Sequence, residues 1–482
     1  MKNDDNTKIN KNNLRRDALG LPHVVFFVVA AAAPLAAIVG GTPPAFAFGN
    51  GPGVPGAFIL TGLLYLIFAV GFTTFARYVK GAGAYYTFIT RGINGAAGLA
   101  GGFMAMAGYY TMSIAVYALF GVFAVTEAQQ IGITLPWWVW AFGILCLVTF
   151  CGQRNIEISG RILGACMLAE ITILLLLNIA IILNAGHPPI PALSIAGFRP
   201  SEVFGPGFGV TMVFVLGAYI GIEATAIFGE EAKKPERTIP LATYIAIASI
   251  TIFYAFTTWA IVQYYGAEHI KAIANSSMDS FYFTPAQKML GNWSEQVMNI
   301  LMLTSLFACL LALHNTINRY FYCLSREQLF WRFLSGVHSH HGSPYLASWL
   351  QSAFVLITLF CFTISHADPY AVIFSWLSAL AALGILAVQT LMSIAVIIFF
   401  RRESHNESMI MTLVAPILAS IGLASAFILV SLNLTLLTGS SNPLVQSFPW
   451  IILILGVIGG IFGLRVRGAK PEIYAAMGRY LS

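Results

Sequence analysis

Two carboxylates occupy positions where carboxylates are expensive. Glu170 lies in the run Gly164-Ala-Cys-Met-Leu-Ala-Glu170-Ile-Thr172, and Glu223 in Gly217-Ala-Tyr219-Ile-Gly221-Ile-Glu223-Ala224. Both runs are otherwise apolar, whereas the other acidic residues fall in loops, tails or at the ends of apolar stretches. An ionisable side chain at bilayer depth marks a pathway or a coupling site by default. Such a carboxyl group has two useful chemistries: it binds and releases a proton, or it attracts a cation. It also has a bland one, as an acceptor for backbone donors or for a neighbour such as Thr172. Glu223 follows Tyr219 by four residues, so a regular helix would present both on one face.

The elements that must carry these groups are membrane spans. Of 482 residues, 58% are hydrophobic and 9% charged. A soluble domain carries about 25% charge, so lipid must face most of this body. A span needs about 20 apolar residues. Twelve stretches qualify, near 22–47, 56–76, 98–126, 136–151, 160–183, 208–229, 241–264, 294–324, 346–364, 370–400, 409–437 and 448–465. They are continuously apolar, not alternating in period two, which excludes a strand barrel. With twelve spans, 22 of the 25 Lys and Arg residues fall on one side, and only Arg199, Lys271 and Lys288 on the other. Basic loops stay inside, so the expectation is a multi-pass protein of a bacterial-type inner membrane with both termini cytoplasmic. The polar tail 1–20 lacks an apolar core, so it does not read as a cleaved signal.

Spans 1 and 6 look interrupted. The first holds Pro34, Gly40, Gly41, Pro43 and Pro44; the sixth holds Gly217 and Gly221 around Tyr219. Proline removes a backbone donor and glycine weakens a helix. Discontinuous helices at matching places of two halves point to a transport site between inverted repeats. Backbone N–H groups freed at such a break attract a carboxylate.

Three motifs resemble the amino acid–polyamine–organocation (APC) superfamily. They are Gly221-Ile-Glu223-Ala with Glu230-Glu-Ala-Lys-Lys-Pro235-Glu-Arg-Thr-Ile-Pro240; Lys80-Gly-Ala-Gly-Ala-Tyr-Tyr86 with Arg91-Gly92; and Ala312-Leu-His-Asn315 with Arg319-Tyr320 and His341-Gly-Ser-Pro344. The resemblance implies an all-α integral membrane protein of twelve transmembrane helices. Spans 1–5 (21–184) and spans 6–10 (185–402) would form a five-plus-five, LeuT-like inverted repeat. Spans 11–12 (403–466) would be the two extra C-terminal helices, and 467–482 a cytoplasmic C-tail. It implies a permease that imports or exchanges a small amino acid or an amine or polyamine by alternating access. Its site would comprise Ala33, Pro34, Leu35 and Ala36 of span 1; Gly217, Ala218, Tyr219 and Ile220 of span 6; and Tyr109 or Tyr110 of span 3. Adjacent helical residues diverge by about 100°, so both tyrosines cannot line one wall. Tyr219 stands where relatives place an aromatic gate, or packs as an ordinary aromatic. Glu223 matches a glutamate of proton-dependent gating. Glu170 stands where some proton-coupled relatives carry a lysine in place of a sodium ion; with the sign reversed, it would take a proton itself or meet a cationic substrate. Sodium remains open, since Thr304 and Ser305 offer hydroxyls.

Other classes fit less well. An enzyme needs convergent histidine, acid or nucleophile, yet the histidines lie mostly in loops. There is no P-loop pattern. A channel would use oligomeric symmetry, whereas the pseudo-repeat here lies within one chain. His338-Ser-His340-His341 has no nearby cysteine or acid, and the six cysteines form no CxxC pair, so no metal or other cofactor is expected. Lys233, Lys234 and Arg237 suit lipid headgroups. The dispersed charge offers no nucleic-acid surface, and the expected state is monomer or homodimer.

Overall fold

The computed structural model describes residues 20–79, 84–153, 156–188, 190–223, 225, 232–338, 343–438 and 442–478. Parts of the three motifs, Lys80–Gly83, Ala224, 226–231 and 339–342 with His340 and His341, lie outside the described residues.

The helices in chain order are α1 (Leu21–Ala31), α2 (Pro43–Phe48), α3 (Val54–Tyr78), α4 (Ala84–Gly92), α5 (Gly95–Gln130), α6 (Trp137–Gly152), α7 (Ile156–Leu183) and α8 (Phe208–Gly217). There follow α9 (Pro235–Tyr265), α10 (Asn292–Arg326), α11 (Tyr345–Ile364), α12 (Ser375–Arg402), α13 (Ala415–Leu432), α14 (Phe448–Ala469) and α15 (Pro471–Ala476). Nine helices among the described residues are long and apolar enough to cross a membrane; Ala36–Phe48, Trp137–Gly152 and Phe208–Gly217 are shorter apolar pieces.

With lipid on both sides, helix association relies on close packing more than on the hydrophobic effect, and small residues permit it. A Cβ on Gly384 of α12 would lie 3.1 Å from the Cα of Gly108 in α5. One on Gly463 of α14 would lie 2.5 Å from the Cα of Ala96. The long α5 is thereby pressed between α12 and α14, next to Tyr109.

Basic residues gather at one end of the bundle. Arg77 at the end of α3 pairs with Glu407 at 3.6 Å, and Arg402 at the end of α12 donates to the Ile93 carbonyl. The far end is closed by the short helices Ile270–Ser276 and Phe283–Leu290. There Tyr282 meets Thr42 at 2.7 Å, Lys271 donates to the Gly49 carbonyl, and Tyr370 to the Gly40 carbonyl.

Candidate functional site

The first span breaks after α1. Ala33 has φ 44°, a left-handed conformation costly for a residue with a Cβ. Pro34 follows, then a π-helical turn over Ala36–Gly40. In lipid, backbone groups freed by such a break must find partners within the protein. Three helices supply them. Glu170 of α7 accepts the Leu35 N–H at 3.3 Å, Ser305 of α10 accepts the Ala36 N–H at 3.2 Å, and Tyr254 of α9 donates to the Ala32 carbonyl at 3.2 Å. Ser305 also donates to the same Glu170 oxygen at 2.7 Å. A single carboxylate oxygen thus joins α7, α10 and the break, while Thr172 bonds its own helix through the Leu168 carbonyl. The N–H groups of Leu35 and Ala36, expected to receive a substrate carboxylate, are held by side chains.

The second break follows α8. Residues 218–223 form consecutive turns, with Gly221 at φ 109°, which glycine adopts without strain. Glu223 accepts the Gly221 N–H at 3.2 Å and the Tyr109 hydroxyl. Tyr219 goes elsewhere. Its hydroxyl meets Thr251 at 2.8 Å and the Phe58 carbonyl at 3.2 Å, and its ring stacks on Tyr65 at 4.9 Å. The turns rotate the two side chains apart, so the shared face of a regular helix does not form. Tyr219 is braced on both sides as a packed aromatic.

Near Glu223 stand further buried phenols; the sequence named Tyr109 as a site candidate, quoted Tyr85 and Tyr320 only as parts of motifs, and left Tyr65 unmentioned. Gln389 of α12 accepts from Tyr65 at 3.2 Å and donates to Tyr85 at 3.1 Å. Tyr320 packs against Tyr109, the phenol bonded to Glu223, with ring centroids 5.9 Å apart. Gln389 alone carried a visible signal, as an amide within an apolar run. Tyr110 turns outward to α11, bonding Thr358 and the Phe354 carbonyl at 2.9 Å. Of the two span-3 tyrosines, only Tyr109 joins the centre.

Packing is loose at Gly217, beside the second break. A Cβ on Gly217 would touch only the Met112 methyl, at 3.7 Å. Ala218 and Ile220 are buried on either side of Tyr219, and Ala33 to Ala36 are buried at the first break. Thr304 bonds its own helix at the Leu301 carbonyl. Among the described residues, no three His, Cys, Asp or Glu residues gather as a metal site.

These broken spans and their carboxylates sit within a chain whose residues 23–471 match the amino acid permease family. It is similar to the branched-chain amino acid permease BcaP of Bacillus subtilis, 24% identical over 73% of this chain and 75% of that protein. It is also similar to the serine/threonine exchanger SteT of the same organism, 25% identical over 49% of this chain and 50% of that one. A shorter stretch is 32% identical to the human cystine/glutamate transporter, over 30% of this chain and 27% of that protein. A multi-pass helical protein with two interrupted helices, matched along nearly its whole length, belongs to the amino acid permease family of the APC superfamily.

Proposed function

We propose that this permease is a secondary active transporter that imports or exchanges a small amino acid or an amine by alternating access, driven by protons. The observation that carries the proposal is the Glu170 carboxylate oxygen shared by Leu35 of the first break and Ser305 of α10. An ionised carboxylate accepts such bonds about twice as strongly as a neutral group. A proton bound at Glu170 therefore loosens the junction of α7, α10 and the first span, and its release tightens it. That is a local charge change acting on an element with two arrangements, as a switch requires. Glu223 is the second coupling carboxylate in this reading, tied across to α5 by Tyr109.

The substrate lies between Ala33–Ala36 and Gly217–Ile220, with Met112 and Tyr109 beside it. Relatives named for branched-chain amino acids and for serine and threonine support a small neutral amino acid. The two deep acids keep a monoamine or diamine open, its ammonium meeting Glu170 or Glu223. Twelve spans, two inverted repeats (21–184 and 185–402) and the added pair (403–466) complete the proposed architecture. The basic end, with both termini, faces the cytoplasm of a bacterial-type inner membrane, as the positive-inside rule directs.

The test is uptake of radiolabelled leucine, serine and putrescine into proteoliposomes under an imposed proton or sodium gradient. Accumulation with an inside-alkaline gradient and no sodium supports the reading. Accumulation only with sodium assigns Glu170 and Ser305 to that ion. Leak that never exceeds equilibrium with either gradient points to a channel.

A further inference from the structure

Glu327 and Gln389 are buried polar side chains that the transport cycle above does not use. Glu327, just past α10 and 5% exposed, accepts the Tyr86 hydroxyl and the Gly478 N–H at 3.1 Å. Those bonds join the end of α10 and the C-terminal segment to α4. Gln389, in the middle of α12 and 1% exposed, leads instead to the second helix break.

The backbone of that break is held loosely by its own bonds. Past α8 the Tyr219 N–H donates to the Leu216 carbonyl at 3.0 Å, Ile220 to Gly217 at 3.1 Å and Ile222 to Tyr219 at 3.3 Å. Each bond spans three residues and closes one tight turn, a poorer geometry than that of the α-helix. Side chains must therefore fix where these turns lie, and Tyr219 is the long one among them. Its hydroxyl is tied to Thr251 of α9 and to the Phe58 carbonyl of α3. The plane of its ring is set by Tyr65 of α3, stacked on it at 4.9 Å with 13° between the rings.

Tyr65 is held in turn by Gln389. The Tyr65 hydroxyl donates to the Gln389 amide oxygen at 3.2 Å, and the amide nitrogen donates to the Tyr85 hydroxyl of α4 at 3.1 Å. A primary amide suits this place because it has one accepting end and one donating end. Each end meets a phenol from a different helix. A buried hydroxyl without a partner is costly, so the amide holds both phenols in one arrangement. Direct contacts thus run from Gln389 through Tyr65 to Tyr219, which lies within the turns that carry Gly217, Ala218 and Ile220.

We propose that Gln389 is a positioning residue for the substrate site: through Tyr65 and Tyr219 it sets where the turn over Gly217–Ile220 lies against the substrate. The proposal rests on the substrate placement given under the proposed function. Gln389 acts at one remove. Its loss leaves the helices packed but frees the Tyr65 ring, so Tyr219 loses the face on which it rests. The substrate then meets a turn that samples several positions, and affinity falls before turnover does.

The first readout needs no substrate. Hydrogen–deuterium exchange of the full chain in lipid nanodiscs follows the amides of 217–222, with α14 as the internal reference. Gln389→Met, similar in length but without the amide's two ends, should raise exchange in that segment about tenfold and leave α14 unchanged. Tyr65→Phe should do the same, and the two together should do no more than either alone. Gln389→Glu should restore slow exchange, because a carboxyl group still accepts from Tyr65. The second readout is uptake of radiolabelled leucine, serine and putrescine into proteoliposomes. For whichever of these is carried, Gln389→Met should raise KM about tenfold with kcat within about twofold, and Gln389→Glu should bring KM back. Unchanged exchange over 217–222 in a folded Gln389→Met protein, or a rise shared equally by α14, overturns the positioning role whatever the protein carries. Should that variant not fold, Tyr65→Phe decides in the same way. Faster exchange with an unchanged KM overturns the placement of the substrate at this turn, and with it this role of Gln389.

Discussion

At the scale of single residues, charge and shape at Glu170 separate cleanly. Glu170→Gln keeps an oxygen for the Leu35 N–H but loses the charge and the proton site. Proton-driven accumulation should fall at least tenfold while exchange across vesicles with no net proton movement persists; equal loss of both would mark Glu170 as structural. Ser305→Ala leaves the Ala36 N–H without its acceptor, which costs about 1–3 kcal/mol for a buried donor. It should lower the melting temperature as well as uptake. Tyr109→Phe should impair transport and Tyr110→Phe should not, since the Tyr110 hydroxyl points to α11. This scale was the least legible in the sequence. Glu170 and Glu223 stood out because an acid inside an apolar run has few explanations. Glu327 did not, because a carboxylate just past a span end usually faces water, and only the fold of the C-terminal segment over it shows otherwise. The pairing of Glu170 with Leu35 joins positions 135 apart in sequence, a distance over which residue type carries no signal.

At the scale of elements, the two helix breaks were readable from proline and glycine placement, and their internal geometry was not. The expectation that Tyr219 and Glu223 share a face assumed 3.6 residues per turn, and the turns over 218–223 violate it. The free N–H groups of the first break were legible as a class, yet which groups claim them depends on α7, α9 and α10 arriving together. Gly217 is the position to probe. A Cβ there would make only ordinary contact, 3.7 Å from the Met112 methyl, so Gly217→Leu should crowd the proposed substrate position and abolish uptake while the melting temperature moves by no more than about 2 °C. Normal affinity in that variant would place the substrate elsewhere. Ala33→Val should act oppositely, because a β-branched residue resists φ 44°. Its penalty should appear in stability as well as in transport.

At the scale of the whole molecule, composition was enough to expect a multi-pass helical protein, and nine of the described helices are long and apolar enough to cross a membrane; the sidedness drawn from Lys and Arg belongs to the proposed function. How the helices touch was less accessible, because glycine is common in membrane helices for several reasons. Gly463 shows the difference, since its neighbour Ala96 leaves no space for a side chain. Gly463→Leu should pull α14 from α5 and lower stability by about 1–3 kcal/mol or more, as overpacking does. A melting temperature unchanged in detergent would show that this contact is dispensable. The first break has a wider consequence. The side chains that hold its backbone come from α7, α9 and α10, whereas the space beside Gly217 is bounded by α5 and α8. In the proposed function, Gly217 and Met112 would thus bear on cargo from a side of the site that the Glu170 junction does not touch. On that reading, substitutions at Gly217 and Met112 are expected to change which molecule is admitted while the Glu170–Ser305 junction stays intact.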